Sequence, residues 1–115
     1  MDFRRLEERV IAWADQKGIL AKGTPMKQHG KTQEEVDELR EALFYQSQDE
    51  DAYINAKGAL CDTEHEIKDG IGDVLVTLLI QCKIQGIDPL NCLEHALNVI
   101  ERRTGKMVDG VFVKD

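Results

Sequence analysis

Apolar residues recur at helical spacing in four segments of the chain. Phe3, Leu6, Val10, Trp13 and Ala14 stand three or four apart. That single stripe predicts a helix from about Asp2 to Lys17, stopped at Gly18. A second helix is expected from Pro25 to about Tyr45, turning Val36, Leu39, Ala42 and Leu43 inward behind a Thr24 cap. Gly30 interrupts its first turns, and a start at Thr32 with Glu35 closing a capping box is the alternative. Asp62 or Thr63 opens a third helix, in which Ile67, Ile71, Val74, Leu75, Leu78 and Leu79 keep the period up to Gly86. Its run from Val74 to Ile80 is nearly all apolar, which predicts burial on most sides. The fourth helix, Pro89 to about Arg103, follows an Asp88 cap and turns Leu90, Leu93, Leu97 and Ile100 inward.

Two stretches break this pattern. Between Ser47 and Leu60, the run Asp49-Glu50-Asp51 and Gly58 predict a loop with one short helical turn around Tyr53. From Met107 to Val113, short apolar runs bracket Asp109-Gly110 and predict a hairpin. The expected fold is therefore all-α: a four-helix bundle with a short C-terminal β-hairpin-like tail. It forms one domain over residues 1–115, helical over about 2–103 and extended over 104–115.

Composition adds three constraints. Six aromatic residues leave the core to aliphatic side chains, and the third helix has more apolar surface than one protomer covers. A homo-oligomer is expected. Cys61, Cys82 and Cys92 form no C-x-x-C pair, the N-terminal segment is charged, and no run approaches the ~20 apolar residues of a membrane helix. These features predict a cytoplasmic protein with reduced thiols and no membrane partner. A net charge of −7 argues against nucleic-acid binding, which depends on neutralising phosphates.

The acidity is concentrated. Glu35, Glu38, Glu66, Asp69 and Asp73 account for five of the seven excess negative charges and fall in two short segments. Positions i and i+3 lie about 60° apart around a helix axis, so Glu35 shares a face with Glu38, and Glu66 with Asp69. Asp73 continues the second face one turn on. A single E-x-x-E is common on exposed helix surfaces. Two acid pairs on adjacent helices, with no basic residue four positions on, are not. Antiparallel packing would bring four carboxylates together, at a cost that a divalent cation removes. Oxygen donors without His or Cys suit Mg²⁺, with Mn²⁺ the alternative. No D-x-D-x-D-G calcium loop and no paired E-x-x-H di-iron motif occurs; His65 and His95 have the wrong spacing, and His29 is read as a surface residue.

The segment Lys31-Thr32-Gln33-Glu34-Glu35-Val36-Asp37-Glu38-Leu39, followed by Glu66-Ile67-Lys68-Asp69-Gly70-Ile71-Gly72-Asp73-Val74-Leu75, resembles the signature of the all-α nucleoside triphosphate pyrophosphohydrolases, the MazG-like family. The resemblance covers about Thr24 to Arg103, and Thr104 to Val113 looks like the tail of small phage-type members. It implies hydrolysis of a nucleoside triphosphate between the α- and β-phosphates, with Glu35, Glu38, Glu66 and Asp69 as metal ligands. Glu34, about 40° from Glu38, is left to position or deprotonate the attacking water, or to hold a second metal. Asp73 is an outer acceptor, a further ligand or a structural acid. The resemblance also implies a homo-tetramer built as a dimer of dimers, with a homodimer as the alternative.

The triphosphate needs cationic and polar donors beside so many carboxylates. Lys31, Asn98, Arg102, Arg103 and Lys106 are the candidates; Asn98 and Arg102 share a face of the last helix. Arg102 and Arg103 would also complement the helix dipole there. Trp13 is a candidate to stack on a base, although a lone tryptophan on an apolar stripe is more often core. Two rival readings stay open: a non-catalytic acidic regulator, and a dUTP or phosphoribosyl-ATP pyrophosphohydrolase.

Overall fold

A computed structural model describes all residues, Met1 to Asp115. The chain is mostly helical, with five helices and two small antiparallel hairpins. Asp2 caps α1 (Phe3–Gln16) by accepting from the Arg5 amide, and a four-residue helix, α2 (Ile19–Lys22), follows Gly18. The sequence pattern holds no signal for α2, which is too short to show a period. Thr24 caps α3 (Pro25–Ser47), so the start is at Pro25 and not at Thr32. Gly30 is accommodated without a break.

The segment expected to be a loop with a helical turn is instead a hairpin, β1 (Ala52–Ile54) with β2 (Leu60–Asp62). Tyr53 and Cys61 point inward from paired positions onto Ala42 of α3. The Tyr53 ring stacks on Tyr45 with centroids 4.5 Å apart. Asp62 then caps α4 (Thr63–Gln85), which ends at Gly86 as expected. Helix α5 (Pro89–Ile100) stops three residues short of Arg103. The tail forms β3 (Gly105–Val108) and β4 (Val111–Lys114). Its turn residues Asp109 and Gly110 both have positive φ, 48° and 81°, as a two-residue hairpin turn demands.

The main packing unit is α3 against α4, with α1 and α2 laid on α4. The pairing is antiparallel. The Gln28 side chain donates to the Thr77 carbonyl at 3.0 Å, Gln81 donates to the Pro25 carbonyl at 2.9 Å, and Leu39 sits against Gly70. The fifth helix turns away from α4 by 103° and packs substantially on no other element; neither does the β3–β4 hairpin. A closed four-helix bundle is therefore not formed by one chain.

Burial also differs from the expected inward faces. Leu90, Leu93, Leu97 and Ile100 on α5 are exposed, as are Leu75 and Leu78 on α4 and Val36 and Leu43 on α3. On α1 only Ala14 is fully buried, and Trp13 is half exposed, outside any core. All three cysteines are free, and His29 is on the surface. No single helix is long and apolar enough to cross a membrane.

Candidate metal centre

The register that joins Gln28 to Thr77 and Leu39 to Gly70 sets the acidic turns of α3 and α4 opposite each other. Glu35 of α3 is thereby close enough to act on Asp73 of α4, as are Asp69 and Glu66 of its own helix, and Glu38 lines one cavity with Glu66. Glu35 is buried, with 9% of its surface accessible. Its partner is Lys31, four residues earlier, whose Nζ lies 3.2 Å from the Glu35 carboxylate and 3.8 Å from Glu34. No other cation is within ion-pair distance of these acids.

The electrostatics report the crowding. The Glu38 carboxyl is held above its ordinary range, first by partial loss of water and then by Glu35, with Lys57 and Lys31 opposing. Asp73 is raised by desolvation and then by Asp69, Glu35 and Glu66, so acids from both helices act on one group. The Lys31 ammonium is raised by its bond to Glu35. As they stand, no three of these side chains converge on a common point at ligating range. Like charges held across a seam raise one another's pKa, as the shifts at Glu38 and Asp73 record. The donor set still fits a hard divalent cation: oxygen only, partly desolvated and short of positive charge.

Two cations beside the acids were not legible in the sequence. Lys57 projects from the β1–β2 loop and lines a cavity of about 180 Å³ with Glu38 and Glu66. The Asn55–Gly58 turn between short runs of strand-forming residues is the signal that could have found it. Arg9 lines a second cavity, about 430 Å³, between α1 and α4 with Trp13 and Asp73. Nothing in the pattern marks Arg9, which flanks the apolar stripe of α1.

The remaining expected substrate residues are placed elsewhere. Asn98 lies on α5, Arg102 and Arg103 in the turn after it, and Lys106 on β3, all exposed. Because α5 swings away from α4, one chain does not bring them to the acidic seam. Glu34 is on the outer side of α3, its side chain largely in water. Comparison of the chain with protein-family models, with curated proteins and with solved structures finds no match.

Proposed function

We propose that this chain is a cytoplasmic, Mg²⁺-dependent nucleoside triphosphate pyrophosphohydrolase, cleaving between the α- and β-phosphates to give the monophosphate and pyrophosphate. The observation that supports it is the seam between α3 and α4, where five carboxylates from two helices share one paired lysine. Glu35, Glu38, Glu66 and Asp69 are the residues to hold the cation, with Asp73 outside them. Mg²⁺, or Mn²⁺ in its place, supplies charge neutralisation for the phosphates and makes water more acidic. Glu34 is the residue assigned to orient the attacking water or take its proton, although its side chain lies largely in water on the outer side of α3. Lys31 balances the seam on the α3 side.

Asn98, Arg102, Arg103 and Lys106 serve the phosphates of a neighbouring copy in this reading. Packing of α5 and the terminal hairpin against that copy completes the bundle that one chain leaves open. The assembly is a homodimer or a dimer of dimers.

Product analysis tests the reaction. Monophosphate plus pyrophosphate is expected; diphosphate plus phosphate would overturn the bond assignment. Asp69→Ala should abolish Mg²⁺-dependent turnover while leaving the helical circular dichroism intact. An active Asp69→Ala protein removes the shared-metal model. A chain with no saturable Mg²⁺ site, with or without nucleotide, is an acidic regulator instead.

A further inference from the structure

The inner hairpin stands beside the acidic seam and builds a wall there. Its loop is braced by its own hydrogen bonds. The Asn55 carboxamide oxygen accepts from the amides of Lys57 and Ala59 at 2.9 and 3.0 Å, and the Asn55 amide donates to the Ala59 carbonyl at 2.9 Å. The stacked pair Tyr45–Tyr53 fastens the strands to α3. Lys57 is thereby held at the edge of the acids and is the only cation lining the small cavity with Glu38 and Glu66.

A larger cavity, about 630 Å³, continues along the outer face of α3 between Arg40, Phe44 and Ile54. Glu41, Asn55 and Ala56 line both cavities, so the two adjoin, and together they outline a groove. Its ends differ chemically. One has carboxylates for a cation and an ammonium for phosphate oxygens. The other sets apolar side chains in water, Phe44 57% and Ile54 58% exposed, beside Asp37, Arg40 and Glu41. From Glu38 to Phe44 the helix rises about 9 Å, which separates the two ends.

We propose that this groove is the substrate site, with Lys57 meeting the phosphates and the nucleoside lying between Phe44 and Ile54. The inference rests on the pyrophosphohydrolase reading for the class of ligand. Continuity with the acidic seam favours this groove, and the charge of Lys57 suits the anionic end of the ligand. Phe44 and Ile54 suit the face of a base, which has aromatic surface to cover, and the polar groups Arg40 and Asp37 beside them suit its edge. The rival location is the cavity lined by Arg9 and Trp13.

Binding is measured with two probes in Mg²⁺: α,β-methylene analogues of the common nucleoside triphosphates, and inorganic tripolyphosphate. Losing one charge-assisted hydrogen bond is expected to weaken binding about tenfold or more. Lys57→Ala should therefore weaken both probes to that extent, and Lys57→Arg should restore most of the loss. Ile54→Glu should weaken the nucleotide analogues about tenfold while tripolyphosphate stays within twofold. If that variant does not fold, Phe44→Ala replaces it. Unchanged binding in Lys57→Ala, or a loss that follows Trp13→Ala and spares Ile54→Glu, overturns the proposal. Turnover of the unmutated chain is assayed alongside. The expected binding pattern without hydrolysis sinks the enzyme reading and leaves the groove; hydrolysis with unaltered variants sinks the groove alone.

Discussion

Gly70 marks the closest approach of α4 to α3. A Cβ added there would meet Leu39 Cβ and Cδ1 at 3.2 Å and its Cα at 3.4 Å. In a helix interior Gly→Ala gains roughly 0.8–1.0 kcal/mol of propensity. Overpacking costs about 1–3 kcal/mol, and one of the two tight contacts is with Leu39 Cβ, which no side-chain rotation can move. A small net loss of stability is expected for Gly70→Ala, read as a slightly lower Tm. The effect on the site should be larger, because Asp69 adjoins Gly70 and any widening draws the two acid pairs apart. Mg²⁺ affinity should fall more than the melting temperature suggests. Titration calorimetry beside scanning calorimetry checks this; unchanged Mg²⁺ affinity means the seam spacing is slack. At this scale the sequence was informative about which acids share a helix face, since helical geometry alone sets that. It did not mark Arg9, and it offered only a turn signal for Lys57; the neighbours of both are distant in the chain.

The two hairpins show what a local pattern can and cannot specify. Asp109-Gly110 reads directly as a turn, because few residue pairs tolerate two successive positive φ angles. The inner hairpin has three-residue strands and a longer loop, and its stabilisation comes from tertiary contacts. Tyr53 stacks on Tyr45 and, with Cys61, packs against Ala42. Burial, and then the negative charges of Cys61, Glu66 and Glu41, push the Tyr53 phenol up to about 12. The folded value lies above the unfolded one, near 10, so folding strengthens proton binding. Tyr53's contribution is complete below about pH 10 and is lost as pH rises towards 12. Thermal melts between pH 9 and 12 should therefore show a steepening loss of stability that Tyr53→Phe reduces. An identical alkaline profile in the phenylalanine variant would show that the ring is not what opens.

The whole chain is too open for its mass. It exposes 8989 Å² of surface, against roughly 6,300 Å² expected of a 13.0 kDa monomer. Its radius of gyration is 16.9 Å, against about 13 Å for a compact domain of this length. The excess, roughly 2,600 Å² per chain, is well above the ~800 Å² each partner buries in an interface of standard size. Apolar side chains on α5 and the far half of α4 are among those exposed, Leu93 being 64% exposed. A second copy is the occupant that this surface suits, in the assembly proposed above. Light scattering should find dimers or tetramers, and Leu93→Glu should shift them towards monomer with a lower Tm. A monodisperse wild-type monomer with a cooperative melt would refute the assembly.

The sequence by itself determined the long helices, their caps, the terminal turn and the pairing of acids on two helix faces. Each depends on residues within a few positions of one another, where helical period, capping chemistry and backbone sterics act. Only the tertiary structure decided that α3 and α4 run antiparallel with the acids opposed, and that the inner segment is a strand pair carrying Lys57 to Glu38. It also decided that α5 leaves the molecule, so its apolar face and its basic end point away from the seam. An apolar stripe states that a surface must be covered, because water makes its exposure costly. It does not state whether the cover comes from the same chain.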